Sequence, residues 1–268
     1  VGRKVLLDGK IKFIDCVNIR PDSPALNFGA GLFETILYEN GIIFFPEDHI
    51  NRLVSSCTVL KIKIPDKSFC GTDKILELIR LNDHTNMPCR IKIIYSPLFH
   101  RSDWNVLITV EGYERKSGVI SAVTAGRTRE NEFYRFKTNS YMENFLNIES
   151  APESEILFLN SKGNITEGAR SNILCVRDNV LFYTDLSENY LQGIMQSHII
   201  SGHKEFGFSY AQAFKGGFGY EFIKECSDVF ITNSLMIARP CSSVKFGNNT
   251  INYNISEISE NIRKFYLK

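Results

Sequence analysis

The sequence predicts an α+β fold, and two observations lead there. Strand-like and helix-like stretches are mixed without a strict strand–helix–strand rhythm, and the many hairpins argue against a doubly wound sheet. The 268 residues exceed one small core and suit one or two domains.

Val1-Gly2-Arg3-Lys4 leads straight into a short strand with no signal-peptide apolar core. Residues 31–45 read as a hairpin: Leu32–Tyr38, a Glu39-Asn40-Gly41 turn, then Ile42–Phe45. Asn-Gly is the pair a tight hairpin turn favours. Pro46-Glu47-Asp48 opens a helix, since proline and two acids suit a first turn. Ile50, Leu53, Val54, Cys57 and Leu60 form its apolar stripe. A second helix is expected over 67–82, with strands at 90–96 and 104–112.

Glu111–Gly118 is the first polar stretch able to carry a domain crossing. It divides the chain into a small N-terminal α+β domain, 1–115, and a larger C-terminal domain, 116–268. In the second domain the reading gives a strand at 119–125, a polar loop at 126–132 and a helix at 139–151. It continues with a strand over Glu155–Asn160, a hairpin at 171–183, a helix at 193–206 and a strand at 228–233.

A hydrophobic content of 43% with 23% charged residues is that of an ordinary globular protein. A net charge of +1 makes no electrostatic case for nucleic acid or an anionic membrane as partner. No apolar run approaches the roughly 20 residues that span a bilayer. The seven cysteines are scattered without a Cys-x-x-Cys, and the five histidines show no ligand spacing. Buried reduced thiols in a cytoplasmic protein without a metal are the expectation.

Chemistry concentrates in a few places. Lys137 lies in Arg135-Phe136-Lys137-Thr138, just before a helix, with Phe136 and Tyr141 to enclose it. Such a lysine is ordinarily a solvated charge. Burial and a nearby cation would instead keep its amine partly neutral and able to hold an aldehyde. Thirty residues on, Glu167 stands in Asn164-Ile165-Thr166-Glu167-Gly168. It reads as a turn carboxylate, or as the anion that keeps a pyridine nitrogen protonated. A lysine and a carboxylate so placed are what pyridoxal phosphate needs.

Two segments could cradle its phosphate. Gln192-Gly193-Ile194-Met195 opens a helix, whose free N–H groups and dipole attract anions. Thr232-Asn233-Ser234 ends an apolar strand with hydroxyl and backbone donors, though a capped strand end explains it equally well. Ser171-Asn172 could hydrogen-bond cofactor or backbone. Arg52, on the polar side of its helix, is a surface arginine or a phosphate partner.

Together these segments resemble a known family. Phe28–Thr35, His49–Leu53, Phe136–Thr138, Gly163–Gly168, Ser171–Ile173, Gln192–Met195 and Phe230–Ser234 occur in the order seen in class IV, fold-type IV pyridoxal-phosphate enzymes. These include branched-chain aminotransferases, D-amino acid aminotransferases and 4-amino-4-deoxychorismate lyases. The resemblance implies a two-domain fold of the D-amino acid aminotransferase kind, with the site between the domains and a homodimer completing it. It makes Lys137 the Schiff-base lysine and proton shuttle and Glu167 the partner of the pyridine nitrogen. Arg52, Ile194, Met195 and Ser234 would hold the phosphate, with Asn233 and Ser171 as further cofactor contacts.

Gly-Ile-Met at 193–195 and Thr-Asn-Ser-Leu-Met at 232–236 are more similar to the lyases than to the branched-chain enzymes. Thr35 matches a threonine that lyases use near the reacting carbon. The expected activity is release of pyruvate from aminodeoxychorismate to give 4-aminobenzoate, in the folate branch. The alternative is transamination of a branched-chain or D-amino acid, and either way the partner is a small-molecule amine. Two features depart from the family: Ala30 stands where lyases carry aspartate, and Tyr95–Ser102 lacks the glycine-rich arginine loop that grips a substrate carboxylate. Arg101 and Arg90 are the possible substitutes.

Overall fold

A computed structural model describes residues 2–100, 103–116 and 118–268. They form two units, Val1–Arg115 with Phe136–Tyr141, and Lys116–Arg135 with Met142–Lys268. Each has its own sheet and core.

The first unit contains β1 (Lys4–Leu7), β2 (Lys10–Phe13), α1 (Pro24–Phe28), β3 (Leu32–Glu39), β4 (Ile42–Ile43), α2 (Pro46–Val59), α3 (Thr72–Leu81), β5 (Cys89–Ser96) and β6 (Asn105–Gly112). The strands make an antiparallel sheet in the order β2-β1-β6-β5-β3-β4. Alternation along β3 places Leu32, Ile36 and Tyr38 in one core with Leu53 and Cys57 of α2 and Ile75, Leu78 and Ile79 of α3. The expected helix over 67–82 is broken. Asp66 caps a separate 3₁₀ turn at Lys67–Cys70 by accepting from the Ser68 amide, and extended Gly71 precedes α3.

Residues 136–141 also depart from expectation. The reading began a helix at 139, but the helix starts at Met142, and the preceding segment runs alongside β3. The Phe33 amide donates to the Lys137 carbonyl and the Asn139 amide to the Gly31 carbonyl, each at 2.9 Å. Gly31 permits this approach: a Cβ there would lie 2.4 Å from Asn139 Nδ2, and its φ is +151°. Backbone pairing to β3 outcompetes one more helical turn.

The second unit contains β7 (Ile120–Thr128), α4 (Met142–Ser150), β8 (Ser154–Leu159), β9 (Ile165–Gly168), β10 (Asn172–Arg177), β11 (Val180–Thr184), α5 (Ile194–Ser201), β12 (Tyr210–Phe214), α6 (Tyr220–Lys224), β13 (Asp228–Thr232), β14 (Arg239–Phe246), β15 (Asn249–Asn252) and α7 (Ile258–Tyr266). Its sheet runs β12-β11-β10-β13-β14-β7-β8-β9, with β15 on β14. The pairs β11–β12, β14–β7 and β7–β8 are parallel. The expected hairpin at 171–183 forms β10 and β11 through Asp178-Asn179, both at positive φ as a tight hairpin turn requires. The expected helix over 193–206 stops at Ser201, and Gly202 leads into a 3₁₀ turn at His203–Phe206. Strands β9, β12, β14 and β15 and helices α6 and α7 were not anticipated. Phe182, Phe218 and Phe222 anchor the core.

Cys16 is exposed and the other six cysteines are buried. Burial pushes the Cys57 and Cys89 thiols up to about 11 and Cys70 up to about 12, which makes them poor nucleophiles. Among the described residues no helix is long and apolar enough to cross a membrane.

Candidate active site

In the first unit Lys137 Nζ lies 4.5 Å from the centre of the Phe33 ring and 5.5 Å from that of Tyr141. Phe33 and Tyr141 meet edge to face at 5.3 Å. The enclosing pair is therefore Phe33 and Tyr141. Phe136, expected in that role, packs against the first unit's core instead.

Thr35 shares the Phe33 face of β3 and stands directly opposite Lys92 of β5. Lys92 Nζ lies 4.9 Å from the centre of the Phe33 ring. Burial lowers the proton affinity of Lys92, and the charge of Arg90 lowers it further. Arg90 itself is paired with Glu111. Arg101, the other arginine considered for a substrate carboxylate, lies outside the described residues.

Glu34 points to the opposite face of β3, into α2. Arg52 holds it with Nε on Oε1 at 2.8 Å and Nη2 on Oε2 at 2.6 Å, and His49 Nδ1 lies 2.7 Å from Oε2. Burial pushes the Glu34 carboxyl up, but the charge and hydrogen bonds of Arg52, then of His49, outweigh it and bring it to about 2. An ionised carboxylate can only accept, so His49 Nδ1 carries the hydrogen. Burial lowers the imidazole's proton affinity more than Glu34 raises it, which keeps His49 neutral. Arg52 thus sits against a buried acid, where the sequence suggested a solvated face of its helix.

In the second unit Glu167 is buried on β9. Its Oε1 accepts from Arg129 Nη1 at 3.1 Å and its Oε2 from the Leu191 amide at 3.2 Å. Ser171 is buried, and its hydroxyl donates to Glu155 at 2.8 Å. Ile194 and Met195 open α5 after Gly193, which provides no side-chain cap. Their N–H groups belong to the first turn, where no intrahelical acceptor exists. Asn172 Nδ2 ties this turn down through the Leu191 carbonyl at 2.8 Å, and a Cβ on Gly193 would meet Asn172 Oδ1 at 2.0 Å.

Asn233 follows β13, and its side chain builds the turn. Oδ1 accepts from the Leu235 and Met236 amides, and Nδ2 donates to the Arg170 carbonyl. Ser234 lies within this turn. The turn closes on buried Ile237 at φ +65°, a conformation costing about 1–3 kcal/mol in a branched residue. Such strain is a feature of ligand-binding turns.

Glu34, His49, Lys92 and Arg129 were missed from sequence. Glu34 carried a readable signal, an acid at the same strand parity as apolar Leu32 and Ile36. Arg129 carried none, because a basic loop reads as surface.

The family described as Amino-transferase class IV matches residues 31–244. The chain belongs to this family, and its class is that of the pyridoxal-phosphate enzymes. It is 24% identical over 282 residues to a probable branched-chain-amino-acid aminotransferase of Rickettsia bellii, covering 98% of this chain and 95% of the relative. It is 23% identical to the D-alanine aminotransferase of Bacillus licheniformis, covering 90% and 88%. It is also 23% identical to the aminodeoxychorismate lyase of Bacillus subtilis, covering 81% and 78%. The fold is fold-type IV: the branched-chain aminotransferase of Thermoproteus uzoniensis superposes with a TM-score of 0.87 at 22% identity, covering 99% of this chain and 94% of that one.

The residues present fit that cofactor. The first unit offers an amine held among aromatic rings. The second offers a buried carboxylate and a helix start closed to a side chain at Gly193. Gln196, in the first turn of α5, is wholly buried, and its Nε2 has no protein partner among the described residues.

Proposed function

We propose that the protein is an aminodeoxychorismate lyase, releasing pyruvate from 4-amino-4-deoxychorismate to leave 4-aminobenzoate. The observation carrying this reading is Thr35, a hydroxyl on the Phe33 face of β3 with Lys92 directly opposite. That face supplies a hydroxyl to assist a leaving enolpyruvyl oxygen and a cation for a carboxylate. Gly-Ile-Met at 193–195 adds the resemblance to lyases.

Pyridoxal phosphate, when bound, supplies an aldehyde that condenses with amines and a ring that accepts the electrons of a breaking bond. Lys137 Nζ would be the amine that holds the aldehyde, and as a free amine it would take the proton from the amine-bearing carbon, with Phe33 and Tyr141 beside it to exclude water. Arg52, the Ile194 and Met195 amides, Asn233 and Ser234 would hold the phosphate. Glu167 would keep the ring nitrogen protonated, with Ser171 beside it bonded to Glu155. Thr35 orients or protonates the leaving oxygen, and Lys92 takes a substrate carboxylate in place of the absent arginine loop.

Aminotransferase chemistry is the second reading, favoured by the relatives, among which a branched-chain enzyme at 24% and a D-alanine enzyme at 23% stand beside the lyase at 23%. There Lys137 would carry the proton the other way, and the product released would be a ketoacid. We also propose a homodimer, because Met142, Phe145 and Leu146 make one exposed apolar face of α4 at helical spacing.

The deciding experiment is a single-turnover spectrum of the cofactor-loaded protein with aminodeoxychorismate and with L- and D-amino acids. Formation of 4-aminobenzoate with the resting absorbance restored supports the lyase. Conversion of the cofactor to its amine form by an amino acid, without aromatic product, replaces it with the transaminase.

A further inference from the structure

The guanidinium of Arg129 is held by three side chains and two aromatic rings of the second unit. It donates Nε to Glu143 at 3.1 Å, Nη1 to Glu167 at 3.1 Å and Nη2 to Asn144 at 2.7 Å. The ring of Tyr134 lies 3.7 Å from its central carbon and that of Phe158 lies 4.0 Å away, which fixes its plane. Asn144 in turn donates to the Ala169 carbonyl at 2.6 Å, two residues beyond Glu167. The backbone bearing Glu167 and the cation facing it are therefore locked together. The Arg129 amide adds an anchor to the Leu159 carbonyl at 2.7 Å.

Resting on the reading of Glu167 as partner of the ring nitrogen, we propose that Arg129 is the positioning residue that keeps Glu167 an anion. It thereby decides that the proton shared by the pair resides on the cofactor nitrogen and not on the carboxyl. The effect is electrostatic. A proton moved from the carboxyl to the ring moves away from a fixed positive charge bonded to that carboxyl, so the cation favours the transfer. Buried groups feel such a charge strongly, since little water screens it.

Glu143, Tyr190 and Tyr134, the other ionisable groups described around this pair, do not supply this effect. Glu143 is negative and one-third exposed, and it occupies Arg129 Nε without touching Glu167 in the bonds described. Tyr190 is a neutral phenol: burial pushes its ionisation up, and the charge of Glu167 adds to that. Tyr134 offers Arg129 its ring face. Among the hydrogen bonds described, Arg129 is the cation bonded to Glu167.

The test reads the proton directly. Protein loaded with ¹⁵N-labelled pyridoxal phosphate is compared at neutral pH by nitrogen NMR as wild type, Glu167→Gln, Arg129→Met and Arg129→Lys. The proposal expects a protonated ring nitrogen in wild type, loss of that signal in Glu167→Gln and Arg129→Met, and its recovery in Arg129→Lys, which restores the charge. A merely structural arginine would not give recovery by charge alone. If Glu167→Gln leaves the ring protonated, the assignment of Glu167 itself fails. If Glu167→Gln loses the proton but Arg129→Met keeps it, only the role of Arg129 fails.

Should Arg129→Met not fold, cofactor-free wild type carries the test through infrared spectra of protein with ¹³C-labelled glutamate, read as the difference from Glu167→Gln. The Glu167 carboxylate band should persist on acidification below the range where surface glutamates take up protons. Its loss within that range overturns the proposal.

Discussion

Arg52 and Glu34 are joined by two parallel hydrogen bonds, Nε to Oε1 at 2.8 Å and Nη2 to Oε2 at 2.6 Å, with the carboxylate sealed from solvent. The fork fixes the direction of the guanidinium, as a lysine at that position would not. Removing the arginine strands a buried anion. Arg52→Ala is expected to destabilise the cofactor-free protein by about 3–5 kcal/mol, read as a shift in the urea midpoint. Arg52→Lys should recover part of that stability while binding pyridoxal phosphate at least about tenfold more weakly in a fluorescence titration. Cofactor affinity at the wild-type level would remove Arg52 from the phosphate site.

The same cluster sets an acid limit on stability in two steps. His49 has a lowered proton affinity in the fold, so below its ordinary value of 6.5 the unfolded chain gains a proton that the folded one resists. Glu34 is brought to about 2 from 4.5, so its contribution is complete above 4.5 and is lost as pH falls from there toward 2. Melting temperature of the cofactor-free protein should decline first below pH 6.5 and again below 4.5. His49→Gln should flatten the first decline and leave the second.

Lys137 and the groups around it are expected to separate by readout. Lys137→Ala should abolish both the absorbance of the bound aldehyde and turnover; full activity in that variant would sink the site assignment. Lys92→Met should retain the absorbance and lose about 10–100-fold in kcat/KM through KM, the loss expected when a charged hydrogen bond to substrate disappears. Thr35→Val should also stay coloured but lose kcat for pyruvate release. An unchanged kcat would leave that hydroxyl without a part in the reaction.

The exposed face of α4 is where a second copy is expected. Leu146→Glu combined with Phe145→Glu should shift the protein from dimer to monomer in sedimentation velocity, because charge cannot be buried unpaired in an apolar contact. A wild type that sediments as a monomer would refute the homodimer.

Much of the fold was readable because local chemistry and tertiary packing agree. The stripe from Ile50 to Leu60 found the core that its spacing implied, with Leu53 and Cys57 buried. The hairpin expected at 171–183 formed, its two strands joined at Asp178-Asn179. Misreadings fell where a long-range contact overrides local preference. Residues 139–141 carry no helix breaker, yet the Asn139 amide is taken by the Gly31 carbonyl and the neighbouring Lys137 carbonyl by the Phe33 amide, more than one hundred residues earlier. Gly71 and Gly202 each divide a stretch whose apolar pattern continues across them.

For the candidate site the division is similar. Lys137, Glu167, Thr35, Arg52 and the start of α5 could be singled out from the sequence, because residue type, neighbours and chain order carry that information. What surrounds them could not be read. Phe33 rather than Phe136 enclosing Lys137, Glu34 gripping Arg52, and Arg129 bonded to Glu167 depend on which face of a strand meets which helix or loop. Identity and order of the chemical groups are properties of the chain. Their charge state and direction are decided by burial and by partners 15 to 104 positions away, which only the folded structure brings within a few ångströms.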